Sequence, residues 1–194
     1  LNAYGVTLVS DPAFTSVNAT FSVTDTGVVY LGAGGILNYA TTYAVNLGNG
    51  GLLGASAPWG LGGDLTLSGG VGFLAAENAD HTPFDIVIAG GLEGAGTLAK
   101  IGLGKVTVQG PSTHTGELHV REGTFAVEGS GSLSAPIISV ASGARLDGGS
   151  AFTLSGGQSL VGEGTVSGDV TAVNGSGIRP AGNRTRRARG DVPD

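Results

Sequence analysis

Short runs that alternate apolar with small polar side chains, each stopped by glycine, recur from one end of this chain to the other. This pattern leaves little freedom in what it can fold into. The runs include "GVTLVS", "ATFSVT", "YAVNLG", "DLTLSG", "FDIVIAG", "KVTVQG", "ELHVRE", "TFAVEG", "IISVAS", "ARLDGG" and "FTLSGG". Period-two alternation sends every second side chain to one face of a strand. The expected inward pairs are therefore Val6/Leu8, Phe21/Val23, Val45/Leu47, Leu65/Leu67, Ile86/Ile88, Val106/Val108, Leu118/Val120, Phe125/Val127, Ile138/Val140, Ala144/Leu146 and Phe152/Leu154. Gly, Ser, Asn or Asp separates most runs, the composition of tight turns. No segment carries a 3.6-residue apolar stripe of helical length, and the 38 glycines weigh against helices at about 1 kcal/mol per interior position. "ASAPWGLGG", Ala55 to Gly63, reads as a turn or short irregular stretch.

Many short strands fit a sandwich, a barrel or a solenoid. Two features favour the solenoid. Most runs offer only two or three inward residues, which suits a narrow stacked interior, and glycines recur at strand ends, as repeated corners require. "GDLTLSGGVGFLAAE", "GKVTVQGPSTHTGELHVREGTFAVEG" and "SAFTLSGGQSLVGEGTVSGDV" share one scheme of strand, glycine turn and strand. Disorder is disfavoured, because 40% of residues are hydrophobic.

"GAGTLAKIGLGKVTVQG", Gly94 to Gly110, begins with the G-x-G-x-x-A spacing of a dinucleotide-binding turn. That turn must open a helix, with its N-terminus on the pyrophosphate. Here "KIGLGKVTVQG" follows, a β-alternating run, so the nucleotide reading fails. The phosphate-loop reading fails as well, since Val106 stands where Ser or Thr should follow Lys105.

Read on to Gly129, the same stretch resembles the autotransporter-associated β-strand repeat, also called the passenger-associated transport repeat. Gly94, Gly96, Leu98, Lys100, Gly102, Gly104, Val106, Val108 and Gly110 fill its first half. Thr115-Gly116 closes the loop, and Val120, Gly123, Phe125 and Val127 fill the second half. The family's usual Asn and Tyr of the loop are missing, with Ser112 and His114 nearby. "LVGEGTVSGDVTAVNGSGIRPAGN", Leu160 to Asn183, looks like the segment that often follows such repeats. The resemblance implies an all-β fold, a right-handed parallel β-helix (β-solenoid) fragment from the passenger of a large bacterial surface or secreted protein. It also implies an extracellular location on an outer-membrane-anchored parent whose C-terminal membrane barrel is not in this chain.

Other chemistry is sparse in the sequence. Without cysteine there are no disulfides, thiolate metal sites or cysteine nucleophiles. No apolar run approaches the roughly 20 residues of a membrane helix, so this segment is not expected to insert into a bilayer. There is no initiator Met, signal peptide or lipidation motif, which reads as an internal or processed piece of a longer chain. His119 alternates with Leu118 and Val120 and should point outward, while His114 lies in a loop; both are expected to be solvated rather than to pair on a metal. "ENADHTPFD" is the most polar insertion in the body. Its Glu77, Asp80, His81 and Asp85 form the one candidate ligand-contact loop, suited to a cation or glycan, although a solvated loop between turns is the expected reading.

Residues 1–178 carry 4 Lys/Arg against 13 Asp/Glu, while residues 179–194 carry 5 Arg and 2 Asp. The organisation expected is therefore a β-helix passenger segment over 1–178 and a basic, disordered tail over 179–194. The tail contains Arg189-Gly190-Asp191, an integrin-type triplet. Read one nucleotide later from Pro180, its codons permit "PGTVPGALAVTFP", the apolar continuation such a passenger calls for, so a frameshift near residue 180 accounts for the arginines. No catalytic residue, cofactor, metal or nucleic-acid partner is expected. The function expected is a structural stalk that displays or exports other domains of its own chain. The alternatives are an adhesin that binds host or glycan through its outer face, and a polysaccharide-acting β-helix enzyme with clustered carboxylates.

Overall fold

The structure, a computed structural model, describes residues 2–3, 7–10, 19–36, 43–150 and 152–181. Among these residues every regular element is a strand, every strand pairing is parallel, and the chain winds as a β-solenoid of about seven turns. Each full turn visits three faces in a fixed order.

The first face holds Asn2–Ala3, Ala19–Val23, Tyr43–Leu47, Leu65–Leu67 and Leu92–Gly94 in one sheet, and later a separate pair, Phe152–Leu154 and Val170–Ala172. The second face is a continuous nine-stranded sheet: Thr7–Ser10, Val28–Leu31, Leu52–Ala55, Val71–Ala75, Thr97–Ile101, Leu118–Val120, Ile137–Val140, Ser159–Gly162 and Gly177–Pro180. The third face stacks Trp59–Leu61, Ile86–Ile88, Lys105–Val108, Thr124–Val127, Arg145–Asp147 and Thr165–Ser167.

Turn length follows from the register. Ile86 lies beside Val106 and Leu118 beside Ile138, 20 residues on in both cases. The shortest steps, Phe152 to Val170 and Ser159 to Gly177, are 18 residues, and the longest, Leu65 to Leu92 and Trp59 to Ile86, are 27 because they contain the polar insertion.

Register alignment places like on like inside. Val45, Leu65 and Leu92 stack on the first face, Leu98, Leu118, Ile138 and Leu160 on the second, and Ile86, Val106, Phe125 and Leu146 on the third. All are buried and belong to one apolar cluster. Each such side chain contributes about 1.5–3 kcal/mol on burial, so the core is assembled turn by turn. Every expected inward pair with described side chains, from Phe21/Val23 to Phe152/Leu154, is buried. Val6/Leu8 lies outside the residues with described side chains.

One expectation is corrected. The stretch Ala55 to Gly63 is not irregular, because Trp59–Leu61 is a strand in register with Ile86–Ile88. Trp59 is buried and donates its Nε1–H to the Gly54 carbonyl at 3.2 Å. Tertiary pairing supplies what so short a run lacks on its own. Lys100 also takes an inward position in the apolar column, between Leu74 and Val120.

The Gly94 turn opens onto the strand Thr97–Ile101 and no helix follows it. Gly94 has φ +84°, and a Cβ there would lie 2.3 Å from the Leu67 carbonyl oxygen of the turn below. Its glycine is needed for close turn-to-turn approach. Residues 182–194, with the Arg-Gly-Asp triplet, lie outside the described residues.

Candidate functional site

The polar insertion projects at the corner between the second and third faces, leaving after Val71–Ala75 and returning at Ile86–Ile88. It is held by its own polar groups. Asn78 Oδ1 accepts the amides of Asp80 (2.9 Å) and Thr82 (2.8 Å), an Asx-type turn, and His81 N–H donates to the Asn78 carbonyl at 3.0 Å. His81 sits at φ +60°, a left-handed conformation uncommon for a residue with a side chain. Glu77 bridges to Pro83, and Phe84 N–H returns to the Ala76 carbonyl at 3.1 Å.

Of the four candidate residues, the fold joins two directly. Glu77 is nearly buried, and its Oε1 lies 2.8 Å from Nδ1 of the largely exposed His81. The hydrogen bond to this carboxylate, with its negative charge, raises the imidazole above the usual histidine value. Asp85 is exposed and faces the next turn, where its Oδ1 accepts Lys105 N–H at 2.8 Å. Asp80 lies on the outer surface, tied in only through its backbone. Among the described residues no group of three or more His, Cys, Asp or Glu side chains is placed to hold a metal ion.

Beneath the loop lies a charged group that the periodicity did not single out. Lys100 is fully buried, and its Nζ donates to three backbone carbonyls: Gly102 at 2.5 Å, Gly104 at 2.6 Å and Glu122 at 2.7 Å. An ammonium has three N–H groups and a carbonyl cradle needs a donor for each, so the two sets match. Burial pulls the Lys100 pKa down to about 8, opposed by the charges of Glu122, Glu77 and Asp85. Glu122 also closes the corner from above, accepting Gly102 N–H through Oε2 at 2.9 Å. Gly102 has φ +77°, and a Cβ there would stand 2.7 Å from Glu77 Cγ. Tyr30 lies over Gly54 on the other side of Glu77, and its phenol is pushed up by burial and by the Glu77 charge.

Chemically, the corner is a structural lock under an acidic rim. The Lys100 amine is committed to carbonyls, and His81 is the one imidazole of the cluster that faces solvent. The sequence signal for the lock was a lysine at an inward position of "TLAKI" followed by Gly102 and Gly104.

The other two histidines separate in behaviour. His119 points outward as expected and bonds Glu117 at 2.7 Å. His114 does not: it is fully buried, which corrects the expectation of a solvated ring. Its loop has no strand, yet Thr113, His114 and Thr115 anchor their amides on the Leu92 and Gly94 carbonyls and draw the side chain inside.

No family profile, curated protein sequence or solved structure matches this chain.

Proposed function

We propose that this chain is a non-catalytic β-helical stalk segment of a bacterial autotransporter-type secreted or surface protein, displaying or exporting other parts of its own longer chain. The observation that carries the reading is the single apolar core running through every described turn from Phe21 to Leu160, over a second face whose nine strands pair without interruption. Such a column transmits position along its axis, because each turn satisfies the backbone groups of the next. The resemblance of Gly94 to Gly129 to passenger repeats supplies the cellular setting. Here those residues form a consecutive pair of turns with glycine corners and a lysine lock. The test is the complete coding region together with surface labelling of the producing cell. A secretion signal and a membrane anchor flanking this segment, with antibody reaching it on intact cells, are expected. A gene lacking both, with the protein retained in the cytoplasm, overturns the reading.

A second reading, adhesion through the outer face, is favoured by the Glu77–Asp85 insertion, which builds a defined, outward-facing surface on the longest turn. A glycan array probed with the purified chain and with Asp80→Ala and His81→Ala variants tests it. Binding that both variants lose supports adhesion, and an array without signal sinks it.

A further inference from the structure

The first face is interrupted. Its ladder stops at Leu92–Gly94 and resumes only at Phe152–Leu154; the two intervening turns cross this face as residues 111–115 and 132–135, linked by a single bridge between Pro111 and Ser132. His114 lies in that gap. Both of its ring nitrogens are buried and make no hydrogen bond.

The acceptors around the gap are already engaged. The Leu92 carbonyl takes the amides of both Thr113 (2.8 Å) and His114 (3.0 Å). In the next turn, the buried Gln158 amide occupies the Leu133 and Ala135 carbonyls at 2.9 Å each, and Ser134 Oγ donates to the Ser112 carbonyl. The Glu117 backbone favours the charged ring, but burial outweighs it.

No countercharge is in place either. Glu93, on the turn below, is exposed on the outer surface, and the Glu117 carboxylate is turned outward and engaged by His119. Residues 132–135 above carry no titratable group. On the second face the inward Leu98 and Leu118 are apolar, and the inward Lys100 of the same strand is a cation whose ammonium is held by the Gly102, Gly104 and Glu122 carbonyls at the corner with the third face. An imidazolium formed here meets no anion and, of acceptors, only the Glu117 carbonyl, which already takes the Leu98 amide at 2.9 Å; full solvation of its charge requires leaving the interior.

We propose that His114 is an acid-sensitive joint in the solenoid: protonation of its ring expels it and opens residues 111–115 of the first face, while the second and third faces stay wound. Burial holds the neutral form and lowers the pKa below the ordinary histidine value of 6.5. The sign follows. Between 6.5 and the folded-state value the open form binds the proton and the closed form does not, so closure weakens as pH falls and the opening constant rises roughly tenfold per pH unit in that window.

Hydrogen exchange of the whole chain at pH 7.5, 6 and 5, expressed as protection factors, tests this. The amides of Thr113, His114 and Thr115 are expected to lose protection on acidification while those of Val106–Val108 and Leu118–Val120 keep theirs, and His114→Phe is expected to abolish the difference. Loss spread evenly over all faces, no loss at all, or acid-dependent loss that survives in His114→Phe overturns the proposal. Should His114→Phe not fold, the imidazole Cε1–H resonance of the unsubstituted protein decides. A His114 ring that protonates at the ordinary value without local opening overturns the joint, and protonation displaced to lower pH in step with loss of the Thr113 amide supports it.

Discussion

At the scale of single residues, the inside of this solenoid is not uniformly apolar, and two of its polar occupants are handled in opposite ways. Lys100 enters the core with three acceptors waiting; neither ring nitrogen of His114 makes a hydrogen bond. Replacing Lys100 by Met keeps the volume and leaves the Gly102, Gly104 and Glu122 carbonyls without their donor. The expected loss is about 3 kcal/mol, measured by urea unfolding. The pH dependence runs the other way from a surface lysine that gains a partner. With a folded-state pKa near 8 against the ordinary 10.5, the unfolded chain holds the proton more tightly across that interval. The Lys100 contribution to stability therefore rises from pH 8 to pH 10.5, and the difference between wild type and Lys100→Met measured across that range is expected to grow in favour of wild type. Gly102 and Gly143 separate conformation from crowding. Both have positive φ, +77° and +81°, but a Cβ at Gly143 meets nothing, whereas one at Gly102 meets Glu77. Gly143→Ala is expected to cost about 1 kcal/mol for the left-handed backbone alone, and Gly102→Ala measurably more. Equal costs in thermal unfolding would refute the packing of Glu77 on this glycine.

At the scale of strands, a three-residue run with two inward side chains is stable only because its neighbours repeat it. Phe125 stacks between Val106 and Leu146 in the middle of the third face, so Phe125→Ala is expected to destabilise by about 3–5 kcal/mol in chemical denaturation, where an end-turn substitution costs less. This dependence on neighbours also explains what could be read from the sequence. The inward pairs were legible because alternation, glycine punctuation and strand pairing all point the same way. Trp59–Leu61 was not, because Pro58 before it and Gly60 within it mimic a turn, and only the register with Ile86–Ile88 makes it a strand. His114 was expected in solvent because side-chain polarity normally reports the solvent face, and here backbone position overrides it; the burial of Lys100 runs against the same rule. Of the candidate loop, its place and polarity were legible. The Glu77–His81 contact depends on the left-handed turn at His81, which no periodicity reveals.

At the scale of the whole molecule, stability accumulates along an axis rather than around a centre. Deleting residues 118–137 removes one full turn and brings Ile138 into the place of Leu118, its register partner. That shortened chain is expected to keep its β circular-dichroism signal and unfold at modestly lower denaturant. Removing 118–127 alone joins the second face to the wrong corner and is expected to abolish cooperative unfolding. The interrupted first face has a consequence of a mechanical kind. Across two successive turns, axial hydrogen bonds tie the second and third faces with full ladders, whereas the first is tied by the amides of residues 113–115 on the Leu92 and Gly94 carbonyls, the Pro111–Ser132 bridge and side-chain contacts, with no continuous ladder. A beam with two inextensible sides and one compliant side does not bend equally in all directions. Under lateral load this rod yields where residues 111–115 and 132–135 cross, by spreading or closing the first face, so its bending stiffness is directional.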